Sequence, residues 1–255
     1  MSDEWELRRA RGDRWLARVD SLEEAARHVD RLGFVLLFPA DRTEAPSLWE
    51  AVAGEDSTPF ADGMGHNEAR VWQWKDELPS AGLTWYGKFL YRRASLLSPD
   101  LLRALYSGRG KDTDHRAMDL SREAHDIAEA LRGGPLTTAA LRQIVGDKAR
   151  YERAVGQLHR QLLITSAGVE SRGSGWPASI VELTCRLFTV GGTADPAYVS
   201  KRYLDTMLVT TVREMARALG WAVPETRARL DALVAHDGAD RPSRDTYTAP
   251  SVPPT

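Results

Sequence analysis

The residues best suited to chemistry lie on a helical repeat between positions 148 and 162. At about 100° per residue, this spacing places Arg153, Gln157 and Arg160 on one face and leaves the opposite face apolar. Guanidinium and amide groups form hydrogen bonds with phosphate oxygens and with base edges. The pattern therefore predicts a nucleic-acid contact, and the alternative is an ordinary solvated basic face on a packing helix.

Basic residues in neighbouring stretches extend the predicted contact. Two lie at the start of the same helix, one lies in the glycine-bearing loop after it, and two lie on a later helix. On the later helix the acids Glu225 and Asp231 dilute the charge, so packing without DNA contact is the stronger alternative there. The predicted DNA-binding residues are Lys148, Arg150, Arg153, Gln157, Arg160, Arg172, Arg227 and Arg229.

An aromatic block over residues 71–79 is the second candidate site. The alternation of Trp72 and Trp74 also suits a strand with one buried face. The main interpretation of the block is a domain core and its edge, and the alternative is a set of aromatic side chains that stack on unpaired bases. A carboxyl group in an aromatic pocket can serve as a general acid or base. Gln73, Asp76 and Glu77 are therefore weak catalytic candidates, with a solvated turn as the alternative.

The elements that position these residues are predicted to be mainly α-helical with small antiparallel β-hairpins, arranged as tandem winged-helix or helix-turn-helix units. After residue 118, three helices precede a hairpin with its loop at 169–175, and this is the order of a winged helix. The predicted divisions are an N-terminal helical or winged-helix-like domain at 1–106, a linker at 107–117, a winged-helix domain at 118–190, a helix-turn-helix unit at 195–235 and a disordered tail at 236–255.

Composition limits the class of protein. The chain has 255 residues, of which 42% are hydrophobic, and a formal net charge of −2. A core can therefore form, and any DNA contact must use a local basic face. The single cysteine, Cys185, and the absence of an apolar leader predict a cytoplasmic protein. No apolar stretch is long enough to span a bilayer, so no membrane partner is expected.

Patterns typical of cofactor chemistry are missing. The sequence has no Walker loop, GxGxxG, HExxH or CxxC. His115 with Asp112, Asp114 and Asp119 has the right ligand types, but these residues lie in a glycine-bearing stretch without a defined metal spacing. We therefore expect neither a metal nor a cofactor.

Three stretches carry a resemblance to a known family. They are residues 31–38 (Arg-Leu-Gly-Phe-Val-Leu-Leu-Phe), residues 71–79 with 85–88, and the helical units after residue 118. Together they resemble the AlkZ/YcaQ-like winged-helix family of crosslink-repair DNA glycosylases, and more closely its short AlkZ-related bacterial members. The resemblance implies a concave basic channel for duplex DNA, formed by tandem winged helices.

The resemblance also implies where a catalytic pair would lie. In the family, a Gln-apolar-Gln or Gln-apolar-Asp pair follows a Leu-Gly step, which is Leu32-Gly33 in this chain. The matching positions hold Leu36 and Phe38, and neither side chain can position a water molecule. The scaffold for DNA binding therefore carries over without the catalytic pair.

The sequence thus predicts a tandem winged-helix protein that recognises duplex or damaged DNA without that pair. Two alternatives stay open. One is an active DNA glycosylase-like hydrolase that uses a different acid, either Asp76 or Glu77. The other is a winged-helix module that binds a protein partner.

Overall fold

The fold is mainly α-helical with small antiparallel sheets, as the sequence predicts. A computed structural model describes residues 10–41, 43–170, 177–192 and 194–250. Two buried apolar clusters fill the interior. The larger one joins side chains from the N-terminal, middle and C-terminal parts of the chain, and the smaller one lies in the N-terminal part.

The N-terminal part surrounds a three-stranded antiparallel sheet with strand order β1-β3-β2. The helix Leu22–Leu32 begins at a capping box. In it, Ser21 accepts the Glu24 amide proton and the Glu24 carboxylate accepts the Ser21 amide proton. Gly33 ends that helix with a φ of 85°, a conformation that favours glycine. The elements are α1 (Leu22–Leu32), β1 (Phe34–Leu36), α2 (Leu48–Ala53), α3 (His66–Ser80), β2 (Trp85–Lys88), β3 (Ala94–Leu97) and α4 (Pro99–Leu105).

The strand prediction for the aromatic block is wrong, because residues 71–79 belong to helix α3. Trp74 is 6% exposed and Trp72 is 41% exposed. Residues two apart on a helix point about 200° apart, so a helix also sends them to opposite sides. The two tryptophans alone therefore could not distinguish a strand from a helix.

The middle part has the predicted order of three helices followed by an antiparallel hairpin. A short strand after the first helix joins the hairpin, which gives the strand order β4-β6-β5. The hairpin pairs Ile164 with Leu183 and Glu170 with Ala178. Of the loop predicted at 169–175, residues 169 and 170 belong to the first strand of the hairpin, and the others lie outside the described residues. The elements are α5 (Arg122–Leu131), β4 (Leu136–Thr137), α6 (Thr138–Val145), α7 (Lys148–Arg160), β5 (Ile164–Glu170), β6 (Ala178–Leu183) and α8 (Thr184–Leu187).

The C-terminal part contains the second predicted helix pair, which turns at Gly220 with a φ of 72°. Part of the predicted disordered tail is ordered: β8 pairs with β7, and the Tyr247 side chain is fully buried. Ala239 and Ala249 of the same segment are also buried, so apolar burial and strand pairing together hold it in place. The elements are α9 (Pro196–Met207), β7 (Val209–Thr211), α10 (Val212–Leu219), α11 (Val223–Ala235) and β8 (Thr246–Thr248).

The stretch predicted to be a linker, residues 107–117, includes a 3-10 turn at Asp114–Ala117. The buried Asp114 carboxylate accepts the Tyr106 hydroxyl proton at 3.0 Å and the amide protons of Gly110 and Lys111. The stretch is therefore folded against its neighbours at Asp114. The domain boundaries drawn on either side of it stay a prediction.

Candidate nucleic-acid interface

Helix α7 is the element that the sequence predicts to contact DNA. It begins after Asp147, whose carboxylate accepts the Arg150 amide proton at 2.8 Å. Tyr151, Ala154 and Leu158 are buried on one side, which faces α5 and α6. Because these three residues recur at the helical period, the remaining surface of α7 is turned away from that contact.

Arg153 and Arg160 are exposed on α7. Within the part of the chain that the structure describes, no carboxylate lies within ion-pair distance of either guanidinium. Lys148 and Arg150 are each near an acid, with nitrogen–oxygen distances of 3.9 Å and 3.8 Å. Exposed pairs of this kind are weak, so the outer face of α7 keeps a net basic character.

Gln157 is predicted to contact DNA, but it is less exposed than Arg153 and Arg160. It is half-buried, and its amide oxygen accepts the Ser121 amide proton at 3.0 Å. This bond ties the start of α5 to α7. Gly156, beside it, faces open space, since a β-carbon there would meet no neighbour within 4 Å.

His159 anchors the last turn of α7 against the N-terminal part. Its ring packs edge-on against Trp85, with 6.0 Å between ring centroids. Burial, with the nearby Lys88 charge, lowers the pKa of His159 from 6.5 to about 3. The imidazole is therefore neutral at neutral pH, and it adds no charge to the basic face.

The arginines of α11 differ from Arg153 and Arg160 of α7 because each of them has a carboxylate partner at short distance. Arg227 lies 2.6 Å from Asp245, and Arg229 lies 2.6 Å from Glu225. The Arg229 guanidinium also lies 3.8 Å from the centroid of the Trp221 ring. The remaining predicted contact, Arg172, lies outside the described residues.

A cavity of about 750 Å³ lies between α3 and the β5–β6 hairpin. Met64, Trp72 and Val169 line it and are exposed apolar side chains. Apolar walls with a few convergent polar groups are typical of small-molecule sites. We call this space the α3 cavity.

A buried ion pair lies in the wall of the α3 cavity. Lys75 Nζ is 2.6 Å from Asp76 Oδ2, and both side chains are almost fully buried. Ser166 donates a hydrogen bond to Asp76 Oδ1 at 2.5 Å, and Lys75 donates one to Ser179 Oγ at 3.2 Å. Burial, with the nearby Asp76 carboxylate, raises the pKa of Tyr86, so that phenol stays neutral.

The three predicted catalytic candidates line the same cavity. Asp76 lies in its wall, and the Gln73 amide donates a hydrogen bond to the Glu77 carboxylate, which also lines the cavity. Sequence reasoning missed Ser166 and Ser179, because strand pairing and not sequence distance brings them to α3. Lys75 could have been found, since it directly precedes Asp76.

A family profile described as AlkZ related matches residues 19–218 of the chain. The chain belongs to the AlkZ-related family. No curated protein and no solved structure matches it. The AlkZ-related match includes the α3 cavity and all of α7, and it ends within α10.

Leu36 and Phe38, the positions at which the resemblance places a catalytic pair, lie in apolar surroundings. Leu36 is fully buried, opposite Ser95 in the sheet. Phe38 packs against Phe60 and Trp72, with ring centroids 4.9 Å and 6.5 Å away. Because Trp72 also lines the α3 cavity, Phe38 belongs to the aromatic cluster behind that cavity wall.

His115, considered above as a metal ligand, is buried, and its Nε2 lies 3.1 Å from a Glu129 carboxylate oxygen. Across the described ranges, no group of three or more His, Cys, Asp or Glu side chains is arranged to hold a metal ion. None of the helices in those ranges is both long enough and apolar enough to cross a membrane.

Proposed function

We propose that the protein binds duplex DNA in the cytoplasm through the outer face of α7, as the recognition helix of a winged-helix unit. The observation that carries the proposal is the exposure of Arg153 and Arg160 without a described acid partner. Guanidinium groups form paired hydrogen bonds with phosphate oxygens and with guanine edges. The family, whose members resemble DNA-repair glycosylases, supports the same target.

The order of elements supports a winged-helix interpretation of residues 122–183. Three helices are followed by a hairpin, and a short strand between the first two helices joins the same sheet. In helix-turn-helix proteins the last helix of the trio lies in the major groove, while the others hold it in place. The bond between Gln157 and the start of α5 would fix the angle at which α7 meets the groove.

Net charge favours recognition of particular DNA shapes or lesions over general binding. The chain carries a formal net charge of −2, and non-specific DNA affinity comes mainly from phosphate neutralisation. Leu36 and Phe38 supply no polar group to hold a nucleophilic water. We therefore propose that the protein recognises damaged or distorted duplex, and that Leu36 and Phe38 do not catalyse the release of alkylated bases.

The proposal is tested by fluorescence anisotropy with undamaged, alkylated and crosslinked duplexes. Arg153→Ala with Arg160→Ala should weaken binding about tenfold or more, because each loss removes a charge-assisted hydrogen bond. Arg18→Ala with Arg103→Ala is the matched control, since both residues are exposed arginines outside α7. Equal affinity of the two double variants for every duplex would refute a role for α7.

A second candidate function is base excision that uses Asp76, and the α3 cavity is the observation that favours it. The cavity offers an aromatic wall at Trp72 and a carboxylate at Asp76. An extruded base needs a stacking surface and a polar group in such a pocket. In this case the catalytic acid would be Asp76 on α3, and not a residue at the end of β1, where the resemblance places the catalytic pair.

A base-release assay on alkylated and crosslinked duplex tests this second function. Release by the wild-type protein that is lost in Trp72→Ala and in Asp76→Asn, but kept in Arg18→Ala, would support it. Asp76→Asn leaves a buried lysine without its partner, and such a change can cost about 3–5 kcal/mol. Trp72→Ala, which leaves the ion pair intact, therefore keeps the test informative. Absence of release by the wild-type protein would refute it.

A further inference from the structure

A second concave surface lies between α7 and the C-terminal helix pair. This arginine cleft has a volume of about 560 Å³, and its lining includes Arg92, Arg160 and Arg217. No carboxylate is among the described side chains that line it. The described side chains that line this concave surface are therefore positively charged on balance, in a chain whose formal net charge is −2.

The backbone that presents Arg92 is unusual. Tyr91 and Arg92 both have left-handed φ values, 51° and 60°, which are rare for residues other than glycine, asparagine and aspartate. Such conformations persist only where the surroundings fix them, and they are common at ligand sites. Here the Tyr91 hydroxyl lies 2.9 Å from the hydroxyl of the buried Tyr203. The fold thus fixes the turn while the Arg92 side chain stays exposed.

The cleft combines its positive charge with aromatic walls. Phe89, Tyr91 and Trp221 line it, and the Arg217 guanidinium lies 5.5 Å from the centroid of the Tyr91 ring. Arg217 also borders the neighbouring cavity, whose lining includes Glu214. The Glu214 carboxylate accepts the amide and hydroxyl protons of Thr211 at the start of α10.

We propose that the arginine cleft binds a phosphate group. Planar guanidinium groups match phosphate oxygens in pairs, and no carboxylate among the described lining side chains competes with an anion for the arginines. The phosphate comes either from the DNA backbone or from a free nucleotide; the first source rests on the proposed function of α7, and the second does not. In the first case the backbone would run from the outer face of α7 across its last turn to the α10–α11 turn.

The experiment uses the full chain with ¹⁵N-labelled tryptophan. The indole resonance of Trp221, assigned by comparison with Trp221→Phe, reports on the wall of the cleft. The probes are deoxyadenosine 5′-monophosphate, the same nucleoside without phosphate, and a short duplex. We expect the resonance to move with at least one phosphate-bearing probe and not with the nucleoside.

Neighbouring arginines supply the matched variants. Arg92→Ala should weaken binding, measured by this shift, about tenfold, because it removes a charge-assisted contact. Arg93→Ala should not, since Arg93 is exposed beside it but does not line the cleft. A shift with the duplex alone identifies the backbone as the source, and a shift with the mononucleotide alone identifies a free nucleotide.

Three results would overturn the proposal: no movement of Trp221 with either phosphate probe, the same movement with the nucleoside, or equal effects of Arg92→Ala and Arg93→Ala. Its failure differs from failure of the α7 proposal. If Arg153→Ala lowers duplex affinity while the Trp221 resonance moves with neither phosphate-bearing probe, the cleft proposal falls alone. If Arg92→Ala abolishes a mononucleotide shift in a protein that binds no duplex, the α7 proposal falls alone.

Discussion

Arginines predicted to bind DNA lie on α7 and on α11, and the structure gives Arg153 and Arg160 of α7 different surroundings from the arginines of α11. On α7, Arg153 and Arg160 are exposed, and no described acid lies within ion-pair distance. On α11, Arg227 and Arg229 are each held 2.6 Å from a carboxylate. The number of basic residues on a helix is therefore a poor measure of the charge available to a ligand.

The difference has a structural origin in the C-terminal segment. Asp245, which holds Arg227, lies just before β8, and the pairing of β8 with β7 places it beside α11. The family match covers all of α7 but ends within α10. We infer that α11 and β8 stabilise each other, whereas Arg153 and Arg160 of α7 stay accessible to solvent.

The largest expected effect is a loss of unfolding free energy when the C-terminal segment with β8 no longer packs against α11. Tyr247 is fully buried, and its hydroxyl donates a hydrogen bond to Asp231 at 2.5 Å. Tyr247→Ala should lower the free energy of unfolding by about 3 kcal/mol, because it empties a buried aromatic site. Urea unfolding measures this, with the exposed Tyr198→Ala as control. Equal midpoints for the two variants would show that β8 does not anchor α11.

A pH dependence should distinguish α7, which contains His159, from α11, which contains no histidine. Because burial lowers the pKa of His159 to about 3 in the folded state, protonation favours the unfolded chain. The contribution of neutral His159 to the free energy of unfolding is fully present above the ordinary histidine pKa of 6.5. This contribution decreases as the pH falls toward 3.

His159→Leu should remove this part of the acid sensitivity. Between pH 7 and pH 5, the wild-type protein should lose about 1–2 kcal/mol more unfolding free energy than the variant does. Urea unfolding at both pH values measures the difference. If the variant loses as much stability as the wild type, His159 does not anchor α7 in its neutral form.

Removing the carboxylate partners of the two α11 arginines should make their charges available to DNA, as those of Arg153 and Arg160 are proposed to be. Glu225→Gln with Asp245→Asn removes both carboxylate partners, so duplex affinity should increase about twofold to tenfold at low salt through added phosphate contacts. Glu55→Gln with Asp56→Asn changes the net charge equally at exposed acids elsewhere. If both double variants increase the affinity equally, net charge alone explains the gain.

The smallest expected effect is on the stability of the α7 face. Arg153→Ala with Arg160→Ala should change the free energy of unfolding by no more than about 0.5 kcal/mol, as is usual for exposed residues. Arg227→Ala with Arg229→Ala should cost about 1 kcal/mol through lost ion pairs and the lost Trp221 contact. Thermal unfolding of both proteins checks this, and the reverse order would contradict the assignment of the two faces.

The sequence was most informative where local signals agreed. Ser21 and Glu24 predicted the start of α1, and Gly220 predicted the end of α10. The hairpin of residues 164–183 followed from its strand and turn pattern. The aromatic block was misread because alternation of two tryptophans suits both periods, and the C-terminal order was missed because it depends on one distant strand, β7.

The candidate site was partly predictable for the same reason. Helical periodicity is local, so the exposure of Arg153 and Arg160 could be predicted from sequence. The partners of Gln157 and Arg227 could not be predicted from sequence, since tertiary packing brings Ser121 and Asp245 to them. The partner of Arg229 is local, because Glu225 lies one helical turn before it. The α3 cavity and the arginine cleft also require strands and turns that are far apart in sequence.

The salt dependence of duplex affinity tests the central claim most directly. Each phosphate that a cation neutralises adds roughly 0.9 to the slope of log affinity against log salt concentration. Arg153→Ala with Arg160→Ala should therefore flatten the wild-type slope by up to about 1.8, while Arg227→Ala with Arg229→Ala should leave it unchanged. Equal slopes for the wild type and the α7 variant, or a flattening confined to the α11 variant, would contradict the account.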